Sequence, residues 1–142
     1  MTHEEMSNLT NEELANFSHI ELSLERTELL QHIINNVRDD IPSAVLIKLQ
    51  RICQDYLAAC EKYDIDIPKE TKPLKNKKSL SITEIVSIVG LIINMLTLAL
   101  AAYSTFAAQP ANTYINQIIN ENYINNIDII IKELSFLRCK KL

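Results

Sequence analysis

Apolar residues recur at helical spacing over much of this chain, and the stretches so patterned are separated by short polar breaks. From Asn11 to Val37 the positions Phe17, Ile20, Leu24, Leu30, Ile33 and Val37 follow steps that share one side of an α-helix. Thr10 and Glu13 make a T-x-x-E capping box, with Leu9 and Leu14 placed to close a hydrophobic staple around it. Glu12 and Glu13 also suit the positive end of the helix dipole.

Asp39, Asp40, Ile41 and Pro42 interrupt this pattern. Proline is tolerated in a first turn, so a second helix is expected to begin here and run to about Tyr63. Its apolar seam is Leu46, Leu49, Cys53, Tyr56, Cys60 and Tyr63, at steps of three and four. The short connection predicts an antiparallel helical hairpin over residues 1–63. A hairpin of that size has little core. Its seam is therefore expected to be shared with another subunit or another protein.

Residues 64–84 read as a basic linker. Pro68 and Pro73 stop helices, and Lys69, Lys72, Lys75, Lys77 and Lys78 crowd into ten positions. An uncharged run follows, from Ile85 to Asn120. Its first part, 85–108, gives about 36 Å of helix, enough to cross a bilayer. Ser81 or Thr83 could cap its start. Tyr103 and Phe106 fall near the far interface, and Gln109 with Pro110 ends it. The five lysines precede this segment and no charge follows closely, so the positive-inside tendency places the hairpin in the cytoplasm. The same lysines are positioned to meet anionic lipid headgroups.

Within the span, Ser87, Gly90, Asn94, Thr97, Ala101, Ser104 and Ala108 recur at alternating steps of three and four. In water a heptad seam is made of large apolar residues. In lipid, small residues let helix backbones approach and polar ones bond across the contact. Asn94, near the middle of the span, would be costly unpaired in hydrocarbon. The seam therefore predicts packing between copies of the span, or a pore lined by Ser87, Asn94, Thr97 and Ser104.

The tail, 109–142, is rich in Asn and Ile. Ile124, Ile127, Ile131 and Leu134 form an a/d stripe, which predicts a helix from about Thr113 to Leu137; a strand is the alternative. The fold class expected is all-α: an N-terminal antiparallel hairpin, a Lys/Pro linker, one transmembrane helix and a short amphipathic C-terminal tail.

Composition narrows the function classes. A net charge of −4 is unlike a nucleic-acid binder, which needs a basic face. A single glycine argues against phosphate loops and strand-rich folds built on tight turns. Cys53, Cys60 and Cys139 form no CxxC pair and read as small buried hydrophobes. Met1 to Glu13 is polar and acidic, without the apolar core of a signal peptide. His19 with Glu12 or Glu25 is a poor metal pair on what reads as a solvated helix face.

No catalytic residue, metal site or cofactor is expected. The function expected is that of a single-pass cell-membrane protein with a cytoplasmic N-terminus. It would act by homo-oligomerisation and partner binding, its partners being itself, membrane lipids and a cytoplasmic protein. Two alternatives stand beside it: an oligomeric pore-forming or membrane-disrupting effector gated by the hairpin, and a soluble helical oligomer with a buried apolar helix.

Overall fold

The computed structural model describes residues 10–104 and 115–141 of the chain, and over them it is helical with no strand. Helix α1 spans Asn11–Asn36. It starts one residue after Thr10, whose carbonyl accepts from the Leu14 N–H at 2.9 Å. Leu9 lies outside the described residues, as do the side chains of Glu13, Tyr103 and Ser104 and the whole of Phe106, Ala108, Gln109 and Pro110.

A 3-10 turn, Arg38–Asp40, separates α1 from α2, Ser43–Lys62. Pro42 is the N-cap of α2, and its carbonyl accepts from the N–H groups of Val45 and Leu46. Proline suits this junction because its fixed φ leads the chain into the helix. At the other end the chain turns through a Schellman motif: the Ile65 N–H reaches the Cys60 carbonyl at 2.8 Å, and the Asp64 N–H reaches Glu61 at 3.2 Å. Asp64 holds the left-handed position, with φ of 57°, which glycine usually fills.

Helix α3, Ile82–Ser104, follows a second 3-10 turn at Lys72–Asn76. Its start is a reciprocal capping box. The Glu84 N–H donates to Ser81 Oγ at 3.1 Å, and the Ser81 N–H donates to Glu84 Oε1 at 2.9 Å. Ser81 rather than Thr83 is the cap, and the helix begins three residues before Ile85. The last helix, α4, spans Glu121–Lys141 and follows a helical turn at 115–118. Asn120 divides the two: its Oδ1 accepts from the Tyr123 N–H at 3.1 Å, as an N-cap does. The helix expected from Thr113 to Leu137 is thus broken by its own capping residue. Thr113 lies outside the described residues.

Pairs of contacts fix the helix directions. Arg38 donates to Thr83 Oγ1 at 2.8 Å, and Gln31 sits beside Gly90, so α1 and α3 run antiparallel. His19 meets Ile119 and Arg26 meets Asp128, so α1 and α4 run parallel. Lys48 pairs with Glu133 at 2.6 Å and Tyr56 stacks near Tyr123, so α2 and α4 run antiparallel. Helices α1 and α2 are antiparallel to each other, as their short connection requires. Helix α1 nevertheless packs chiefly on α3 and α4, and α2 on the turn Lys72–Asn76 as well as on α3 and α4, while the two meet each other little. The expected hairpin is therefore two corners of a four-helix bundle, with α3 and α4 at the others.

The core is contributed by all four helices. Ile20, Leu30, Ile33, Ile34 and Val37 come from α1, and Leu49, Cys53, Tyr56, Leu57 and Cys60 from α2. Ile85, Ile88, Val89, Ile92, Leu96 and Ala99 come from α3, and Ile124, Ile127, Ile130 and Leu134 from α4. Burial of each large aliphatic side chain contributes roughly 1.5–3 kcal/mol relative to exposure.

Candidate functional site

Helix α3 carries two stripes, and the bundle uses one of them. Ile85, Ile88, Val89, Ile92, Leu96 and Ala99 recur at steps of three and four and are buried against the other helices. The small and polar stripe faces the other way: Ser87, Asn94, Thr97 and Ala101 are exposed and Gly90 is half-buried. Thr97 Oγ1 donates back to the Ile93 carbonyl at 2.8 Å, which satisfies its hydroxyl within the helix. Leu98, beside this stripe, is 70 % exposed, more than any other large hydrophobic residue among those described. Over 82–102 the helix is long and apolar enough to cross a membrane, and only a third of that stretch is buried by the rest of the chain.

The α2 seam lies inside. Leu49, Cys53, Tyr56 and Cys60 are buried within the chain's own core, with Leu46 and Tyr63 half-buried at the edges. Packing on α3 and α4 supplies what a two-helix hairpin lacks. Burial pushes the Cys53 thiol up to about 12 and the Cys60 thiol up to about 11, so both are protonated and unreactive at neutral pH. Burial likewise raises Tyr56 and Tyr123 above their ordinary range.

The basic segment is a strap seated on α2. Gln54 Nε2 donates to the carbonyls of Leu74 and Lys77, at 3.0 and 2.7 Å. Gln50 Nε2 donates to the Lys78 carbonyl at 3.1 Å, while its Oε1 accepts from the Leu80 N–H at 2.9 Å. Lys75 pairs with Glu61, and Lys77 with Glu84 at 2.8 Å. Lys69, Lys72 and Lys78 are exposed. Sequence reasoning found the lysines but not Gln50 and Gln54, because amides on a polar helix face ordinarily meet only water.

The interior holds a polar cluster that sequence reasoning also missed. Ser23 and Thr27 are buried on α1, in the gap between Ile20 and Leu30. Thr27 Oγ1 donates to the Ser23 carbonyl at 2.7 Å and lies 2.8 Å from the Tyr123 hydroxyl. His19 Nε2 bonds the Ile119 carbonyl, not Glu12 or Glu25. Among the described residues no group of three His, Cys, Asp or Glu side chains is placed to hold a metal ion.

No family model, no curated protein and no solved structure matches this chain.

Proposed function

We propose that the protein is a membrane-associating helical bundle that acts by self-association and partner binding, with α3 as the membrane-crossing element. One observation carries this reading: a helix long enough to span a bilayer has only about a third of its residues fully buried by its own chain. Residues 85–104 of that helix carry no charge.

The packed bundle is then the water-facing form. Glu25 and Glu28 are exposed on α1, level with the middle of α3 in the antiparallel register. Ionised carboxylates at that depth are strongly disfavoured in hydrocarbon. In the packed form α4 also lies against α1 and α2, on helices that a single crossing by α3 would leave on the opposite side. Insertion therefore means that α3 leaves the bundle.

Lipid compensates α3 for that loss, because hydrocarbon surrounds Ile85, Ile88, Ile92 and Leu96 as well as the core does. The core residues left behind on α1, α2 and α4 then need new cover. Further copies of the chain, or a cytoplasmic protein on the α2 seam, would provide it. In the inserted form the strap lysines hold the N-terminal side in the cytoplasm, as a single-pass protein of the cell membrane. The stripe from Ser87 to Ser104 becomes the contact between copies.

An alkaline carbonate wash of membranes from expressing cells, followed by sizing in mild detergent, tests the reading. Retention in the pellet and a multimeric size are expected; complete release into the wash overturns it. A second reading, a water-soluble helical oligomer, is favoured by the exposure of Ser87, Asn94 and Thr97, which suit water. It expects a multimer without detergent.

A further inference from the structure

The strap holds its lysines against the first turn of α3 and the end of α2. Lys77 is held there twice, its side chain by Glu84 in the α3 capping box and its carbonyl by Gln54 of α2. Lys75 is held by Glu61 at the end of α2. Both ion pairs are solvent-accessible, and pairs of that kind contribute little and weaken with salt. A juxtamembrane run of lysines, by contrast, gains from each residue brought to an anionic bilayer surface.

We infer that this strap is an electrostatic latch opened by anionic lipid headgroups. Headgroup phosphates replace Glu61 at Lys75 and Glu84 at Lys77, drawing the strap off α2. The Lys77 carbonyl leaves Gln54 with it, and the start of α3 is freed at the surface that its apolar faces then enter. The partner is a lipid surface because the lysines stand directly before a membrane-competent helix, and a soluble phosphate offers that helix nothing. The inference rests on the membrane reading above and adds the trigger.

Flotation of the full chain with vesicles of phosphatidylcholine alone, or with about a third phosphatidylglycerol, tests it. Binding is expected on the anionic vesicles, weak on the neutral ones, and reduced by salt. The Glu61→Gln/Glu84→Gln variant keeps the capping box, since Gln serves in that position as Glu does. It is expected to partition onto anionic vesicles more strongly, by up to about fivefold for each ion pair removed. Bundle opening is read from thiol labelling of Cys53 and Cys60 in a Cys139→Ser background. Labelling should accelerate with anionic vesicles and stay slow with inorganic phosphate at matched concentration.

Equal binding to neutral and anionic vesicles overturns the latch and leaves the membrane reading standing. Binding to neither overturns both. Labelling that accelerates with inorganic phosphate alone overturns the assignment to lipid. Should the double variant fail to fold, the salt series on the unaltered chain decides the question, and salt-independent binding defeats the latch.

Discussion

Tyr123 and Thr27 lie 96 residues apart in the chain and meet at 2.8 Å in the interior of the bundle. Thr27 spends its one hydroxyl proton on the Ser23 carbonyl, so Tyr123 is the donor between them. This bond and the adjacent Arg26–Asp128 pair, at 3.0 Å, set the register of α1 on α4.

Removing one side of that bond should be worse than removing both. Thr27→Val strands a buried phenol and is expected to destabilise by about 1–3 kcal/mol. Tyr123→Phe is expected to cost about 1 kcal/mol, and the double variant less than the sum. Ser23 Oγ is buried with no hydrogen-bond partner. Ser23→Ala should therefore be neutral or mildly stabilising. Urea denaturation of the four variants measures all of this; an additive pair would show that the bond contributes nothing.

The turn after α2 offers a gain. Asp64 occupies a left-handed conformation that suits glycine better than any residue with a Cβ. Asp64→Gly is expected to raise stability by about 0.5–1 kcal/mol, read as an increase in Tm. A fall in Tm would mean that the carboxylate contributes more than the backbone conformation costs.

The two stripes of α3 should respond in opposite ways. Leu96→Ala opens a cavity in the core and is expected to lose about 2–5 kcal/mol in aqueous denaturation. Asn94→Leu lies on the open face and is expected to stay within about 0.5 kcal/mol. In mild detergent the order reverses: Asn94→Leu is expected to dissociate the multimer. A multimer unchanged by that substitution removes the stripe from the contact.

Alkaline pH should destabilise the bundle through its buried thiols, joined above the ordinary tyrosine range by Tyr56 and Tyr123. Cys53 and Cys60 keep their protons when folded, at about 12 and about 11, whereas in the unfolded chain they ionise near the ordinary 9.0. Unfolding above pH 9 thus releases protons. The stability these groups contribute is complete below that pH and is lost as pH rises toward the folded values. The expected slope is about 1.4 kcal/mol per pH unit for each thiol inside that window. Thermal melts under reducing conditions should show it, and Cys53→Ala should reduce the slope; an unchanged slope would acquit that thiol.

Much of the helical framework is written locally in this chain. Thr10 before α1, Pro42 before α2 and Ser81 with Glu84 before α3 are signals that act within a turn of themselves, so they survive any tertiary arrangement. The apolar residues of α2 and α4 were legible for the same reason, since their spacing follows the helix period. Asn120 was not, because an asparagine among several others reads as composition until its side chain caps a particular N–H.

Local pattern alone gives an apolar helix over 85–108 with a small and polar stripe set among large apolar positions. Which positions turn inward depends on the helices packed around them. Both sets follow the same period on the same helix, so local pattern cannot rank them. The choice belongs to the surroundings: α1, α2 and α4 together present enough apolar surface to cover Ile85, Ile88, Ile92 and Leu96, and hydration favours leaving Ser87, Asn94 and Thr97 outside. The strap was decided in the same way. Its lysines are visible in sequence, but their holding by Gln50, Gln54, Glu61 and Glu84 arises only once α2 and α3 lie side by side.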